Sequence, residues 1–488
     1  MSVRRAFVWA SAGRYFTMAI SLLATLILAR LLAPQEYGVT VVGGAVFAVA
    51  EALRALGGGA YLIQKQDLAQ DDIRACFTVS FLATVLITGV LLLLAEPLAR
   101  FFSMPQLAPY VRVAALGYVT GPFTFPIGAL LSRRMAFGRI AAVGVSASMV
   151  YAGVSVALAL RGFSYMSFAW ASAASTVTSM LCYLMLWEDR SIFRPSFRRW
   201  SSVLNFGVYD SATALITQLA DSLPYFIFGK LFTPEAVGLA QRAVMLCMMP
   251  ERVVLAGVSA VALPAFAQEA REGRGVRGSY LRAIELVTAA QWPSLLLLAL
   301  LAHSLVSILL GSQWLAAAPL MQILAIALMF AFPIVLHYAM VVSVGAIRYM
   351  PVIMILQGIC SIGALTLAAS HGLYVTALST LVILPCNGIL AITIARHFLK
   401  FRWRDLFMAT RKSLAVTVLC VFGPALILFA HGGPDLGFAA TALAVASAGV
   451  GWLVGLKVTH HPLLDEIVRF VDAIRLRLKS ATWRQANP

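Results

Sequence analysis

The sequence predicts an all-α polytopic membrane protein of about fourteen transmembrane helices. Three observations predict it: a composition too apolar for water, a series of continuous apolar runs, and basic residues gathered in alternate loops. Hydrophobic residues make up 61% of the 488 and charged residues 12%, with a mean hydropathy of +0.88. A soluble domain averages about 45–50% apolar and about 25% charged, so lipid is the solvent for most of this chain. The runs are unbroken instead of alternating, which selects helices over barrel strands.

A bilayer core about 30 Å thick takes about 20 apolar residues in a helix. The first run, 8–32, carries Arg14; no small-residue cleavage site follows it, so it reads as a membrane helix and not a signal peptide. The second, 39–56, carries Glu51 and Arg54 and ends at Gly57-Gly58-Gly59. Runs 75–96, 111–131, 140–160 and 165–187 follow, with Pro122 and Pro126 inside the fourth helix. The seventh, 203–229, holds Asp210 and Asp221. The eighth, 236–266, holds Arg242, Glu251 and Arg252 beside Pro250. Runs 284–309, 315–344, 350–370, 373–396, 413–430 and 436–457 complete the series, almost without charge in mid-span.

With the amino terminus inside, 28 of the 37 basic residues fall in the amino terminus, the even-numbered loops and the tail; Arg100, Arg112, Arg161 and Lys230 face the other side. That asymmetry predicts that both termini face the cytoplasm. The net charge of +17 is therefore topological, and a nucleic-acid partner is not expected. No loop is long enough to fold as a separate soluble domain, so function must be built between helices. The six cysteines stand singly in apolar segments and read as small hydrophobes. The isolated His303, His337, His371 and His431 lack a second ligand at metal spacing, so neither a metal nor another cofactor is expected. In the tail, Leu464, Ile467, Val468, Val471, Ile474 and Leu478 recur at helical spacing among charges. This predicts an amphipathic helix, lying on the inner leaflet or packed against cytoplasmic loops.

Arg30-Leu31-Leu32-Ala33-Pro34-Gln35-Glu36-Tyr37-Gly38 follows the first helix, and Lys230-Leu231-Phe232-Thr233-Pro234-Glu235-Ala236-Val237-Gly238 follows the seventh, an offset of 200 residues. Pro109 and Pro319 give a weaker echo. Six helices separate the copies, and an even number keeps both halves in one orientation, as a parallel repeat. The expected organisation is an N-lobe at 1–200, a C-lobe at 201–400, two appended helices at 401–458 and a basic tail at 459–488. The two six-helix lobes would enclose a central cavity.

Leu31-Leu32-Ala33-Pro34-x-x-Tyr37-Gly38, the exit of helix 2 with Leu62-Ile63-Gln64, and Leu310-Gly311-x-x-Trp314 together resemble the Wzx-type polysaccharide flippases of the multidrug, oligosaccharidyl-lipid and polysaccharide exporter superfamily. The resemblance covers nearly the whole chain. It implies translocation of an undecaprenyl-pyrophosphate-linked oligosaccharide, for O-antigen, capsule or exopolysaccharide, from the cytoplasmic to the periplasmic leaflet. It further implies a polymerase and a chain-length regulator as partners, and arginines of helices 1, 2 and 8 in the cavity.

A charge at the bilayer centre costs about 2.5–3.5 kcal/mol on insertion scales, so those that persist tend to face a cavity. Arg14, Arg54, Arg242 and Arg252, with Glu51, are the candidates to bind the anionic headgroup, because arginine takes phosphate oxygens bidentately. Glu51 and Arg54 are three apart on one helical face and can pair, which by itself offsets burial. Arg242 lies near the outer end of helix 8, where it serves either as a snorkelling anchor or as a cavity wall. Asp210 and Asp221, eleven residues apart with Thr213 and Thr217 between them, form a stripe suited to a coupling cation or proton, to hydrogen bonds with sugar hydroxyls, or to a polar interhelical seam.

The chain has no GxxxxGK[ST] loop, so ATP is not the direct driver. A multidrug antiporter of the same superfamily exports organic cations, which an arginine-bearing cavity repels. A membrane polymerase or ligase would need a large catalytic periplasmic loop, and the runs leave none.

Overall fold

The computed structural model describes residues 3–469 except 55, 57 and 252–255. All regular structure among them is helical. The chain divides into two compact units, Met1–Gln241 and Arg242–Pro488.

The first unit begins with α1 (Val3–Leu31), α2 (Pro34–Arg54) and the short α3 (Gly59–Gln64). It continues through α4 (Gln70–Phe101), α5 (Leu107–Tyr118), α6 (Gly121–Arg133), α7 (Phe137–Leu160), α8 (Met166–Leu186) and α9 (Trp200–Leu231), and α10 (Pro234–Cys247) starts within it. Helix α1 packs on α7, α7 on α8, and α8 on α5 and α6, while α9 lies along α2 and α4. Leu28, Leu107, Val111, Ala115 and Ala169 form the buried centre. The small side chains among them let helix backbones approach closely where lipid offers no hydrophobic drive.

The second unit holds α11 (Ala256–Arg271), α12 (Arg277–Leu300), α13 (Ala302–Leu309), α14 (Ala318–Leu328) and α15 (Phe332–Ser343). It ends with α16 (Met350–Ala369), α17 (Leu373–Leu399), α18 (Trp403–His431) and α19 (Phe438–Val458). Tyr280, Ile284, Leu336, Met340 and Ala395 make its main core. Helix α18 lies against α12 and α19. Residues 462–469 are helical, and Leu463, Leu464 and Ile467 pack onto Ala289, Val416 and Leu456. The visible start of the tail therefore docks on its own helices; Val471, Ile474 and Leu478 lie outside the described residues.

Leu93 is 79% exposed and Phe429 88% exposed, on helices that cannot be solvated that way in water. The chain is a multi-pass membrane protein. Among the described residues, eleven helices are long and apolar enough to span, or twelve if α5 and α6, bent by 48° at their junction, count as one. The expectation of about fourteen differs at the seventh and eighth runs. Asp210, Asp221 and other polar residues lower the hydropathy of the 32-residue α9, and the eighth run is divided between α10 and α11 around residues outside the description.

The repeated segments fold alike. Both α2 and α10 open on the repeat proline, with two residues between it and the preceding helix. Proline suits that position because the first helical N–H has no partner to lose. The two long proline-bearing runs are also broken alike, ahead of Gly121-Pro122 and of Phe332-Pro333. Lys230, in the last turn of α9, donates to the Phe101 carbonyl at 2.7 Å.

Candidate functional site

The last turn of α2 carries Glu51 and Arg54, paired at 2.9 Å. Arg54 is 13% exposed and Glu51 50%, so the carboxylate stands at a mouth and the guanidinium lies inside. Two rings hold it. Its Cζ lies 4.4 Å from the Phe125 ring centre and 5.0 Å from that of Tyr118. Tyr118 is fixed in turn by donating to the Phe47 carbonyl at 2.8 Å. Each cation–π contact is worth about 0.5–2 kcal/mol and rises as water is excluded.

The break between α5 and α6 makes this cage. Tyr118 is the last residue of α5 and Phe125 lies in the second turn of α6. Gly121, at the start of α6, lets the guanidinium lie on the helix backbone: a Cβ there would come within 3.1 Å of Nη1. Arg54 Nε is buried and has no hydrogen-bond partner among the described residues. A buried donor left unmet in a native fold calls for an explanation, and a bound acceptor supplies one.

Arg54 and Glu51 line a cavity of about 600 Å³ within the first unit, walled by α3, α6 and α8. The wall contributed by α3 is clamped from outside. Arg133 donates to the Leu62 carbonyl at 3.0 Å and the Gln66 carbonyl at 2.6 Å, and also to that of Lys65, satisfying the orphan carbonyls at the end of α3. Lys65 donates to the fully buried Asp72 at 2.7 Å, and this hydrogen bond holds the Lys65 ammonium above its ordinary range. Tyr61 and Arg199 add contacts to the same carboxylate at 3.2 and 3.3 Å.

Of the other candidates, Arg14 is exposed on α1 and does not line this cavity. Asp210 is half-buried and Asp221 exposed on α9, while Thr213 and Thr217 donate to carbonyls of their own helix; none of these lines the cavity either. Arg242 belongs to the second unit, 2% exposed, with its Cζ 5.2 Å from the ring of the buried Trp314. Arg252 lies outside the described residues. Thus Glu51 and Arg54 share one cavity, and Arg14, Asp210 and Asp221 stand apart from it. Sequence reasoning missed Tyr118, Phe125 and the hydroxyls of α6 and α8.

Residues 27–319 match a family described as "Polysaccharide biosynthesis protein". The chain is 21% identical over 275 residues to the teichuronic acid biosynthesis protein TuaB of Bacillus subtilis (strain 168), a match that spans 56% of each chain. It is 24% identical over 498 residues to the succinoglycan biosynthesis transport protein ExoT of Rhizobium meliloti (strain 1021), covering 98% of this chain and 96% of that one. The structure of the lipid II flippase MurJ in an inward closed conformation aligns with 94% of this chain and all of its own. The TM-score is 0.69 at 12% identity, a likeness of fold alone.

Proposed function

Since this chain belongs to the polysaccharide biosynthesis protein family, we propose that it flips undecaprenyl-pyrophosphate-linked oligosaccharide repeat units from the cytoplasmic to the periplasmic leaflet. It is on this reading a transporter and not an enzyme, working in a bacterial inner membrane with both termini inside. The observation that carries the proposal is Arg54: a caged, nearly buried cation with an unmet donor, at the edge of a cavity that also carries hydroxyls. A lipid pyrophosphate leaving the headgroup layer needs a fixed cation, and a preorganised guanidinium binds it without reorganisation.

The place of the cavity supports loading from inside. Its walls come from the end of α2, from α3, from the length of α6, from the start of α7 and from the second half of α8. Helices α2, α3, α6 and α8 all end, and α7 begins, on the side of Lys65, Arg133, Arg134, Arg139 and Arg199. By the distribution of basic residues that side is cytoplasmic. Alternating access of the repeat halves 1–200 and 201–400 would then expose the headgroup to each side in turn, while the polyprenyl tail stays in lipid. Arg14, Arg242 and Arg252 are proposed as later contacts of the headgroup, and Asp210 and Asp221 as the ion-coupling pair. A polymerase and a chain-length regulator would take the product.

The test is charge reversal in cells. Arg54→Glu should abolish polymer output and trap lipid-linked repeat units on the cytoplasmic leaflet, with Arg54→Lys retaining part of the activity. Undiminished output from Arg54→Glu, at normal protein level, would discard the cationic site.

A further inference from the structure

Away from Arg54, the cavity wall sets hydroxyls in two ladders among apolar residues such as Ile63, Phe125 and Ile140. Thr120, just ahead of α6, and Thr124 and Ser132 on it share one face, with Gly128 at the empty rung between the last two; on α8, Thr176, Ser179 and Tyr183 do the same. The spacings of four, and of three then four, keep each set on one side of a 3.6-residue helix.

Five of these six hydroxyl protons are already spent. Thr120 donates to Gly117 at 2.8 Å, Thr124 to Gly121 at 2.9 Å and Ser132 to Gly128 at 2.9 Å. Thr176 donates to Ala173 at 2.9 Å and Ser179 to Ser175 at 3.1 Å. A hydroxyl that has given its proton to its own helix has only lone pairs left to offer. The wall is therefore rich in acceptors, with Arg54 and the Tyr183 hydroxyl as its donors. The Tyr183 oxygen stands 3.6 Å from where a Gly128 Cβ would sit, so the missing side chain leaves room beneath it.

Such a wall selects its ligand by chemistry. A bare phosphate brings one or two donors for five acceptor hydroxyls, and an apolar compound leaves every one of those acceptors unmet, at a cost. The complementary ligand has one anionic end for Arg54 and many hydroxyl donors beside it. We infer that this cavity binds the sugar attached to the lipid pyrophosphate, its hydroxyls donating to the α6 and α8 ladders while the phosphate lies at Arg54. A cavity of about 600 Å³ is in the size range that encloses a compact ligand, so the sugars nearest the phosphate are those it reads. The inference rests on the transport reading above and adds where, and by which atoms, the glycan is recognised.

The experiment uses the full chain in nanodiscs and two probes of equal charge: undecaprenyl pyrophosphate bearing one glucosyl residue, and its ester with a methyl group in place of the sugar. The wild type should bind the glucosyl probe about tenfold more tightly, as two or three added hydrogen bonds would give. Thr124→Val with Ser179→Ala keeps volume and removes two acceptors; it should bring the ratio close to one and leave the methyl probe unaffected. Arg54→Gln should weaken both probes by the same factor and keep the ratio. Equal binding of both probes by the wild type, or equal loss of both in the Thr124→Val/Ser179→Ala protein, overturns the sugar assignment while Arg54 sensitivity upholds the transport reading. Failure of the wild type to bind either probe overturns both. An unchanged melting temperature in the double variant shows that its fold is intact.

Discussion

Gly38 and Gly238 each lie against the opening proline of the other's helix: a Cβ on Gly38 would overlap the Pro234 carbonyl, and one on Gly238 would overlap the Pro34 carbonyl. These are the same position in the two copies of the repeated segment, so the copies cross reciprocally. A Cβ on Gly238 would also stand 3.3 Å from the Gly38 amide nitrogen. Only glycine permits that approach. Gly38→Ala and Gly238→Ala should each destabilise the protein by about 1–3 kcal/mol, the usual cost of overpacking. The double substitution should cost less than the sum, because the first already parts the helices. Thermal unfolding in detergent measures this, and strict additivity would show that the two sites are not one crossing.

Asp72 predicts a second stability effect. Its carboxylate is inaccessible and gathers Lys65, Tyr61, Arg199 and the Ala69 amide, the amide at 2.9 Å. Asp72→Asn leaves the cations without their counter-charge and should cost about 3 kcal/mol. Pairing it with Lys65→Met should recover part of the loss. The expected signature is a lower melting temperature together with faster proteolysis around residues 59–66, since α3 loses its fastening.

His461 sets an acid limit. It is 1% exposed and caps the tail helix, accepting the Leu463 N–H on Nδ1 at 3.1 Å, with Nε2 3.3 Å from Ser413 Oγ and 3.9 Å from Glu285 Oε1. Burial, helped by the nearby Lys412, pushes its pKa down to about 4. An unfolded histidine titrates near 6.5, so as pH falls below that value the unfolded chain takes up a proton the folded chain refuses. The neutral-histidine contribution is fully present above pH 6.5 and is lost progressively down to pH 4, about 3 kcal/mol at most. His461→Gln should flatten the stability profile across that window. A slope unchanged by the substitution would assign it to other groups.

How much of this could be read from the sequence follows from what each feature depends on. The spans were legible wherever lipid faced them, because exposure to lipid imposes a continuous apolar run. They blurred at α9 and α10–α11, where acids and arginines interrupt the run. Arg54 was visible for the same reason inverted: a charge in an apolar segment has to be explained. Its cage was not visible, because Tyr118 and Phe125 reach it from α5 and α6, three and four elements further on, across a break that Pro122 announces but does not aim. The ladders of α6 and α8 had a signal in the four-residue spacing of Thr120, Thr124, Gly128 and Ser132, but isolated serines and threonines are ordinary in membrane helices. His461 gave none, since nothing local distinguishes it from His460 except what packs over it.

The 48° elbow between α5 and α6 separates the two rings that grip Arg54. One jaw belongs to each arm, so any flexing of the elbow changes the grip, and any load on the guanidinium is a torque on the elbow. Cargo and backbone angle are in this way mechanically tied through a single side chain.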